Sequence, residues 1–240
     1  MFAFALPLVL STPIAPQSLT QAPLVADLNQ APSTEVGSSS PLYLGEHNGE
    51  AYFLATSDGV NFDAFRTDGT TSGTVNLQAG QDPAVRLTVA QTLKLPSGQF
   101  LASGYSEATG IELATFGPGT NGVQVLADIQ PGPAVGNFGD GSSSPISLTL
   151  WRGEAWFFAD DGVHGYELWR SDGTPGGTRL AVDTNPGPDG LVSSQAKITV
   201  AGDRLFFNGR IPSQAVYVLD DPKGGVVMEL TSCSGAPFGS

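Results

Sequence analysis

The sequence predicts an all-β fold, a β-propeller-like array of about four four-stranded antiparallel sheets. From Trp151 to Pro186, short runs of β-branched and aromatic residues alternate with turns rich in Gly, Asp and Ser, which is typical of strands joined by tight turns. The pattern recurs, because Gly-Glu-Ala-aromatic-Phe begins at Gly49 and again 104 residues later at Gly153. Since 104 residues are about twice the length of one propeller sheet, further copies are expected between and after these two. A β-sandwich is the alternative, although it requires no such repeat.

The repeats are assigned to one domain, residues 23–240, because an all-β domain of this length is ordinary. The repeat units lie at about 41–80, 85–130, 146–185 and 196–232. The strands expected in the clearest unit are Ile146–Trp151, Glu154–Ala159, Tyr166–Arg170 and Thr178–Asp183, and those of the degenerate second unit are Leu93–Gly98, Gln99–Gly104, Ile111–Phe116 and Val123–Gln130. A further copy of the fourth strand, Pro23–Gln30, is interpreted either as completing the last sheet or as the remnant of another unit.

Residues 1–22 are expected to form a leader and linker. The apolar run Met1–Leu10 has about the length of the hydrophobic part of a signal peptide and is too short to span a bilayer. An ordinary buried strand is the alternative interpretation. Because Cys233 is the only cysteine, the fold holds without an internal disulfide.

Charge excludes some partners. The chain has 10 basic and 23 acidic side chains, a formal net charge of −13. This charge repels phosphate backbones and anionic lipids, so we expect no nucleic-acid partner. Because the apolar run Met1–Leu10 is too short to span a bilayer, we also expect no membrane span in the mature chain.

One stretch carries a family resemblance. Glu167–Thr178, ELWRSDGTPGGT, resembles the ELWxxDGT repeat of bacterial exported and surface proteins, and Asp63–Thr74 keeps its Asp-Gly-Thr and Gly-Thr. The resemblance implies a propeller-like repeat and a secreted, cell-surface or periplasmic setting. It implies no particular activity, because the motif is structural. Proteins of this family usually contain more repeats, which makes self-association an expectation here.

The repeated Asp-Gly-Thr-x-x-Gly-Thr segment is interpreted as a hairpin connection. Glycine permits positive φ, and an Asp side chain accepts hydrogen bonds from its own turn. The turn residues are Asp68, Gly69, Thr70 and Gly73 in the first unit, and Asp172, Gly173, Thr174 and Gly177 in the third.

Calcium is the weaker interpretation of the acidic loops. A calcium site needs six to eight converging oxygens, and the spacing of an EF-hand is absent from the sequence. The candidates are Asp160, Asp161, Asp172, Asp58 and Asp68. We therefore expect no metal and no cofactor.

Catalytic signatures are also weak. The only histidines are His47 and His164, there is no Gly-x-Ser-x-Gly, and Glu50 and Glu154 occupy matching turn positions rather than one site. The sequence thus predicts a noncatalytic exported module for binding, adhesion or assembly, with a protein or glycan at the cell surface as its partner. One alternative is a propeller-type glycan hydrolase or lyase that uses loop carboxylates, and another is a fragment or subunit of a larger repeat array. No ligand-binding residue is predicted.

Overall fold

The computed structural model describes residues 28, 39–56, 61–81, 85–132, 141–183, 185–192, 196–209, 215–221 and 228–232. The predicted leader, Asp58, Cys233 and all of Pro23–Gln30 except Leu28 lie outside these residues. The described secondary structure consists of sixteen strands: β1 Leu42–His47, β2 Glu50–Thr56, β3 Phe62–Thr67, β4 Val75–Asn76, β5 Arg86–Lys94, β6 Phe100–Ser106, β7 Gly110–Phe116, β8 Gln124–Ala127, β9 Ile146–Trp151, β10 Glu154–Asp160, β11 Tyr166–Ser171, β12 Arg179–Val182, β13 Ile198–Ala201, β14 Arg204–Gly209, β15 Ala215–Leu219 and β16 Met228–Ser232.

The strands form four successive antiparallel units of four. The third and fourth units are separate sheets, in the orders β12-β11-β10-β9 and β13-β14-β15-β16. The first and second units are joined into one sheet by a single pair, Phe62 with Leu87, between β3 and β5. The predicted all-β, propeller-like array of four-stranded antiparallel sheets is therefore confirmed. None of the described residues forms a helix of the length and apolarity needed to cross a membrane.

One strand prediction was wrong. The first strand of the second unit was expected at Leu93–Gly98, but it is Arg86–Lys94. Leu95–Gly98 is a turn instead, closed by the Gly98 amide donating to the Leu95 carbonyl at 3.0 Å. Pro96 has no amide to donate to a ladder, and Gly98 has a φ of +92°, so this segment suits a turn better than a strand.

Apolar side chains on both faces of each middle strand hold the units together. Along β10, Ala155, Phe157 and Ala159 pack with the second unit, whereas Trp156 and Phe158 pack with the fourth. This division follows from the alternation of side chains along a strand. A third cluster joins the first and second units, where Tyr52 and Phe100 have ring centroids 5.1 Å apart. Each sheet thus gains its core from its neighbours.

The last unit obtains its fourth strand from downstream sequence. β16 pairs with β15 over Ala215 to Val218, with Ser232 opposite Ala215 and Met228 opposite Val218. The fourth strand of the last unit is therefore Met228–Ser232, and not Pro23–Gln30 as one of the two interpretations of that segment had it.

Candidate functional site

The first strands of the second, third and fourth units, β5, β9 and β13, lie next to one another, and we call them the inner strands. Between them is a cavity of about 620 Å³, which we call the inner-strand cleft. This volume is typical of sites for small ligands. Its lining consists of Gln91 from β5, of Ile146, Ser147 and Leu148 from β9, of Ile198 and Thr199 from β13, and of Ala196 and Lys197 just before β13.

Two side chains tie the inner strands together across the cleft. The Ile198 amide donates to Ser147 Oγ at 2.7 Å, and the Leu148 amide donates to Gln91 Oε1 at 3.3 Å. Ser147 has a φ of +59°, and the β9–β10 register shifts between Trp156 and Phe158. A non-glycine residue in the left-handed region carries a backbone cost that its surroundings must hold in place. The pairing of β9 with β10 in the third unit and the hydrogen bond from Ile198 in the fourth unit to Ser147 supply that support.

The lining of the inner-strand cleft combines apolar and polar side chains. Ile146, Leu148 and Ile198 supply apolar surface, whereas Gln91, Ser147, Lys197 and Thr199 supply an amide, two hydroxyls and an ammonium group. Among the described residues that line it there is no carboxylate. The cleft can therefore accept an uncharged ligand that has both hydroxyl groups and apolar faces.

A second cavity of about 510 Å³ lies between the first and second units. Among its polar groups, the Gln81 amide is hydrogen-bonded, because Nε2 donates to the Asn121 carbonyl at 2.8 Å and Oε1 accepts from the Val123 amide at 3.0 Å. Ser106 and Thr109 bond to each other through their hydroxyls at 2.7 Å. Gln124 and Asn121 also line this cavity.

The Asp-Gly-Thr-x-x-Gly-Thr segments form the same hydrogen-bonded turn in the first and third units. Asp172 Oδ1 accepts from the Thr174 amide at 2.9 Å and from its hydroxyl at 2.7 Å, and Asp68 accepts from Thr70 at the same two distances. In each turn the Thr hydroxyl lowers the pKa of the Asp, because it donates to the carboxylate. The carboxylates of both turns are therefore engaged within their own loops.

The last glycine of each motif, Gly73 in the first unit and Gly177 in the third, lies against the Asp carboxylate of its own turn. A Cβ on Gly177 would overlap the Asp172 carboxylate, and a Cβ on Gly73 would overlap that of Asp68. The neighbouring Gly176 has no heavy atom within 4 Å of its Cβ position. Of the adjacent glycines Gly176 and Gly177, only Gly177 therefore has no room for a Cβ atom.

We expect Gly177→Ala to lower the free energy of unfolding by about 2 kcal/mol, because the overlap displaces Asp172 and breaks its hydrogen bonds to Thr174. Gly176→Ala is the matched control and should change stability by less than about 0.5 kcal/mol. Urea unfolding of both variants measures the difference. Equal stability of the two variants would contradict the role given to Gly177.

The calcium candidates do not all share one loop. Asp160 ends β10 and Asp161 follows it, whereas Asp172 follows β11 at the opposite end of the same hairpin, and Asp68 lies in another unit. Asp161 binds the Val163 and His164 amides through Oδ1 and His164 Nδ1 through Oδ2, the last at 2.7 Å. Within the described part of the chain, no three His, Cys, Asp or Glu side chains are arranged to hold a metal ion.

The Asp161–His164 contact changes both pKa values. The hydrogen bond to Asp161 raises the pKa of His164. Burial raises the pKa of Asp161, but the hydrogen bonds from His164 and Val163 outweigh it, so the pKa is lowered overall. The pair stabilises the loop between β10 and β11.

Glu50 and Glu154 do not form an acid–base pair. Each is bonded across the sheet to an arginine of its own unit, Glu50 to Arg66 and Glu154 to Arg170, the latter at 3.2 Å. The two carboxylates therefore occupy equivalent structural positions in different units.

Two buried glutamates were not singled out from the sequence as separate sites. Glu112 on β7 is fully buried and accepts from Ile129, Gln130 and Ser143, including the Ser143 hydroxyl at 2.5 Å. Glu167 on β11 is equally buried and accepts from the Asn185 amide at 3.3 Å. Both carboxylates fix the segment that leads from one unit to the next. The sequence contained a signal for both, because Glu112 and Glu167 each stand between apolar residues at the same position of their repeats.

Comparison with known proteins supports the fold. No protein-family model matches the chain, and no curated protein matches it. The crystal structure of puromycin hydrolase is similar, with a TM-score of 0.50 and 18% identity over 82% of this chain and 29% of that one. An α-L-arabinofuranosidase from Clostridium thermocellum aligns with a TM-score of 0.36 and 13% identity over 81% of this chain and 72% of that one. The similarity to puromycin hydrolase concerns the fold alone, and the chain spans less than a third of that protein.

Proposed function

We propose that the protein is a noncatalytic, exported binding module whose inner-strand cleft holds a neutral oligosaccharide. The observation that carries this proposal is the lining of the cleft, which combines apolar surface from Ile146 and Leu148 with the hydroxyl and amide groups of Thr199 and Gln91. A sugar presents hydroxyl groups at its rim and C–H groups on its faces. Such a ligand satisfies both the apolar and the hydrogen-bonding parts of the lining.

Rigid support favours binding at this position. Ser147 and Gln91 hold the backbone amides of two neighbouring units, so the lining is positioned by strands rather than by loops. A preformed site loses less conformational entropy when the ligand binds. The cell-surface setting that we propose rests on the resemblance of Glu167–Thr178 to the ELWxxDGT repeat and on the apolar run at the start of the sequence.

A glycan hydrolase typically requires two carboxylates that flank one glycosidic bond, and the lyase alternative also relies on loop carboxylates. Neither of the two cavities has a carboxylate among its described lining residues. This observation favours binding without turnover, and the experiment that follows separates the two functions.

A panel of neutral oligosaccharides, measured by calorimetry with the purified protein, tests the proposal. We expect binding by at least one sugar, and we expect Lys197→Trp to weaken it about tenfold or more, because the ring fills the inner-strand cleft. Ala108→Trp is the control, since Ala108 is exposed and lines the second cavity. Binding that Ala108→Trp weakens and Lys197→Trp leaves unchanged would contradict the site. Release of shorter sugars during the assay would favour the hydrolase or lyase.

A further inference from the structure

Each unit ends in a fourth strand that pairs with one neighbour among the described strands. Such an edge strand turns the amide and carbonyl of every second residue away from that neighbour, which makes it a template for a further strand. Proteins protect these edges by shortness, charge or proline. β4 has only two residues, β12 contains Arg179 and β16 contains Glu229, whereas β8, Gln-Val-Leu-Ala, has four residues without a charge or a proline. β8 is therefore the least protected of the four edges.

The second cavity, of about 510 Å³, lies beside this edge. Val123, Gln124 and Val125 are consecutive in the sequence, and all three line it. Successive residues of a strand point to opposite faces of the sheet, so a cavity that touches all three borders the strand and not one face alone. The cavity thus occupies the place where an added strand would pair with β8.

A side-chain amide already makes strand-like hydrogen bonds just before β8. Gln81 Nε2 donates to the Asn121 carbonyl at 2.8 Å, and Gln81 Oε1 accepts from the Val123 amide at 3.0 Å. A residue of a neighbouring strand forms the same pair of bonds, donating to one carbonyl and accepting from the amide two residues further on. This stretch of backbone therefore binds an amide group in the manner of a β-ladder, and the row of backbone groups continues along β8.

The cavity and its surroundings favour a partner that is uncharged or basic. The described lining consists of uncharged side chains, among them three valines. Glu107 stands between the lining residues Ser106 and Ala108, and it is exposed. The chain as a whole has a net charge of −13. A basic group at one end of a ligand would be attracted to Glu107, whereas an acidic group there would be repelled.

We propose that the second cavity binds an extended peptide segment of a partner protein, which adds to β8 as a further strand. The backbone of the segment pairs with the outward amides and carbonyls of β8, and its aliphatic side chains pack on the three valines. A Lys or Arg at one end of the segment lies near Glu107. This site is separate from the inner-strand cleft, because the two cavities share none of their described lining residues.

Fluorescence anisotropy with a labelled, amidated octapeptide, Lys-Ser-Val-Thr-Val-Thr-Val-Ser, tests this site on the full chain. We expect a dissociation constant below about 1 mM. Replacing the Lys of the peptide by Glu should raise that constant about fivefold or more. Glu107→Lys should reverse the preference, whereas Asp189→Lys, an equal change of charge at an exposed residue between the third and fourth units, should preserve it.

N-methylation of the peptide, one residue at a time, distinguishes strand addition from recognition of side chains alone. Only every second amide of an added strand faces β8, so methylation should weaken binding about tenfold or more at alternate residues and be tolerated at those between them. The protein is unchanged throughout this series, so a fold defect cannot produce the alternation. Losses that do not alternate, or an absence of binding at about 1 mM peptide, overturn the proposal.

Ala108→Trp tests whether the peptide lies in the second cavity. Ala108 is exposed and lines the cavity, so the new ring should weaken binding about tenfold or more. Val163→Trp is the matched control, since Val163 is 63% exposed in the corresponding turn of the third unit. Equal affinity of the wild type and Ala108→Trp overturns the site. Self-association of the wild type that the peptide inhibits would assign β8 to a second copy, and sugar binding that only Ala108→Trp abolishes would assign the cavity to a glycan; both overturn the proposal.

Discussion

Replacing Glu112 with alanine is expected to lower the free energy of unfolding by about 3 kcal/mol at pH 5 to 7. The side chain is fully buried, and its carboxyl oxygens accept from the Ile129, Gln130 and Ser143 amides. Alanine leaves these donors without that acceptor inside the protein, where an unsatisfied polar group costs far more than at the surface. The linker between the second and third units should loosen first, because all three donors belong to it.

The same residue should make stability depend on pH. Burial raises the pKa of Glu112 to about 7, even though the hydrogen bonds from Ser143, Ile129 and Gln130 lower it. In the unfolded chain the pKa is close to the ordinary 4.5, so the folded protein binds the proton more tightly between these two values. The contribution of Glu112 to stability is therefore greatest below pH 4.5 and is lost as the pH rises to about 7.

Urea unfolding from pH 5 to pH 7.5 measures this contribution. We expect the wild-type protein to lose about 2 kcal/mol more over this interval than Glu112→Gln does, since glutamine does not titrate. Glu107→Gln is the control, because Glu107 is exposed in the turn between β6 and β7. Parallel pH profiles for the wild type and Glu112→Gln would show that Glu112 does not titrate in this range.

The repeat spacing predicted the sheets because it records which strands belong to one unit. Gly49 and Gly153 begin matching hairpins, and the structure has β2 and β10 paired in the same way with β3 and β11. The prediction was wrong at Leu93–Gly98 because hydrophobicity alone does not separate a strand from the Pro96 turn that follows it. The hydrophobic pattern therefore predicted strand positions correctly only where recognisable turn residues marked the ends of the strands.

The inner-strand cleft could not be predicted in this way. Its two bridging hydrogen bonds join residues 51 and 57 positions apart, Ser147 with Ile198 and Gln91 with Leu148. Those contacts depend on how three sheets are placed next to one another, which no local pattern specifies. Glu112 illustrates the same limit, because Ser143, which buries and binds it, lies 31 residues away.

Phe157→Ala should destabilise the protein by about 4 kcal/mol, which is more than the loss expected for Glu112→Ala. The ring is fully buried between the second and third units, where it packs with Leu95, Leu101 and Leu113. Truncation leaves a cavity that two facing sheets cannot fill without moving together. Because each sheet depends on its neighbours for a core, the loss should appear in the stability of the whole array and not only in the third unit.

Phe53→Ala makes the same chemical change at the equivalent position of the first unit, so the pair isolates the effect of the neighbouring sheet. Phe53→Ala should cost less than about 2 kcal/mol, since the ring is only half-buried and stacks on Phe65, 5.5 Å away between centroids. Equal losses for the two variants in urea unfolding would mean that Phe53 contributes as much to the core as Phe157 does. A large difference would show that burial between sheets, and not the residue itself, makes this position stabilising.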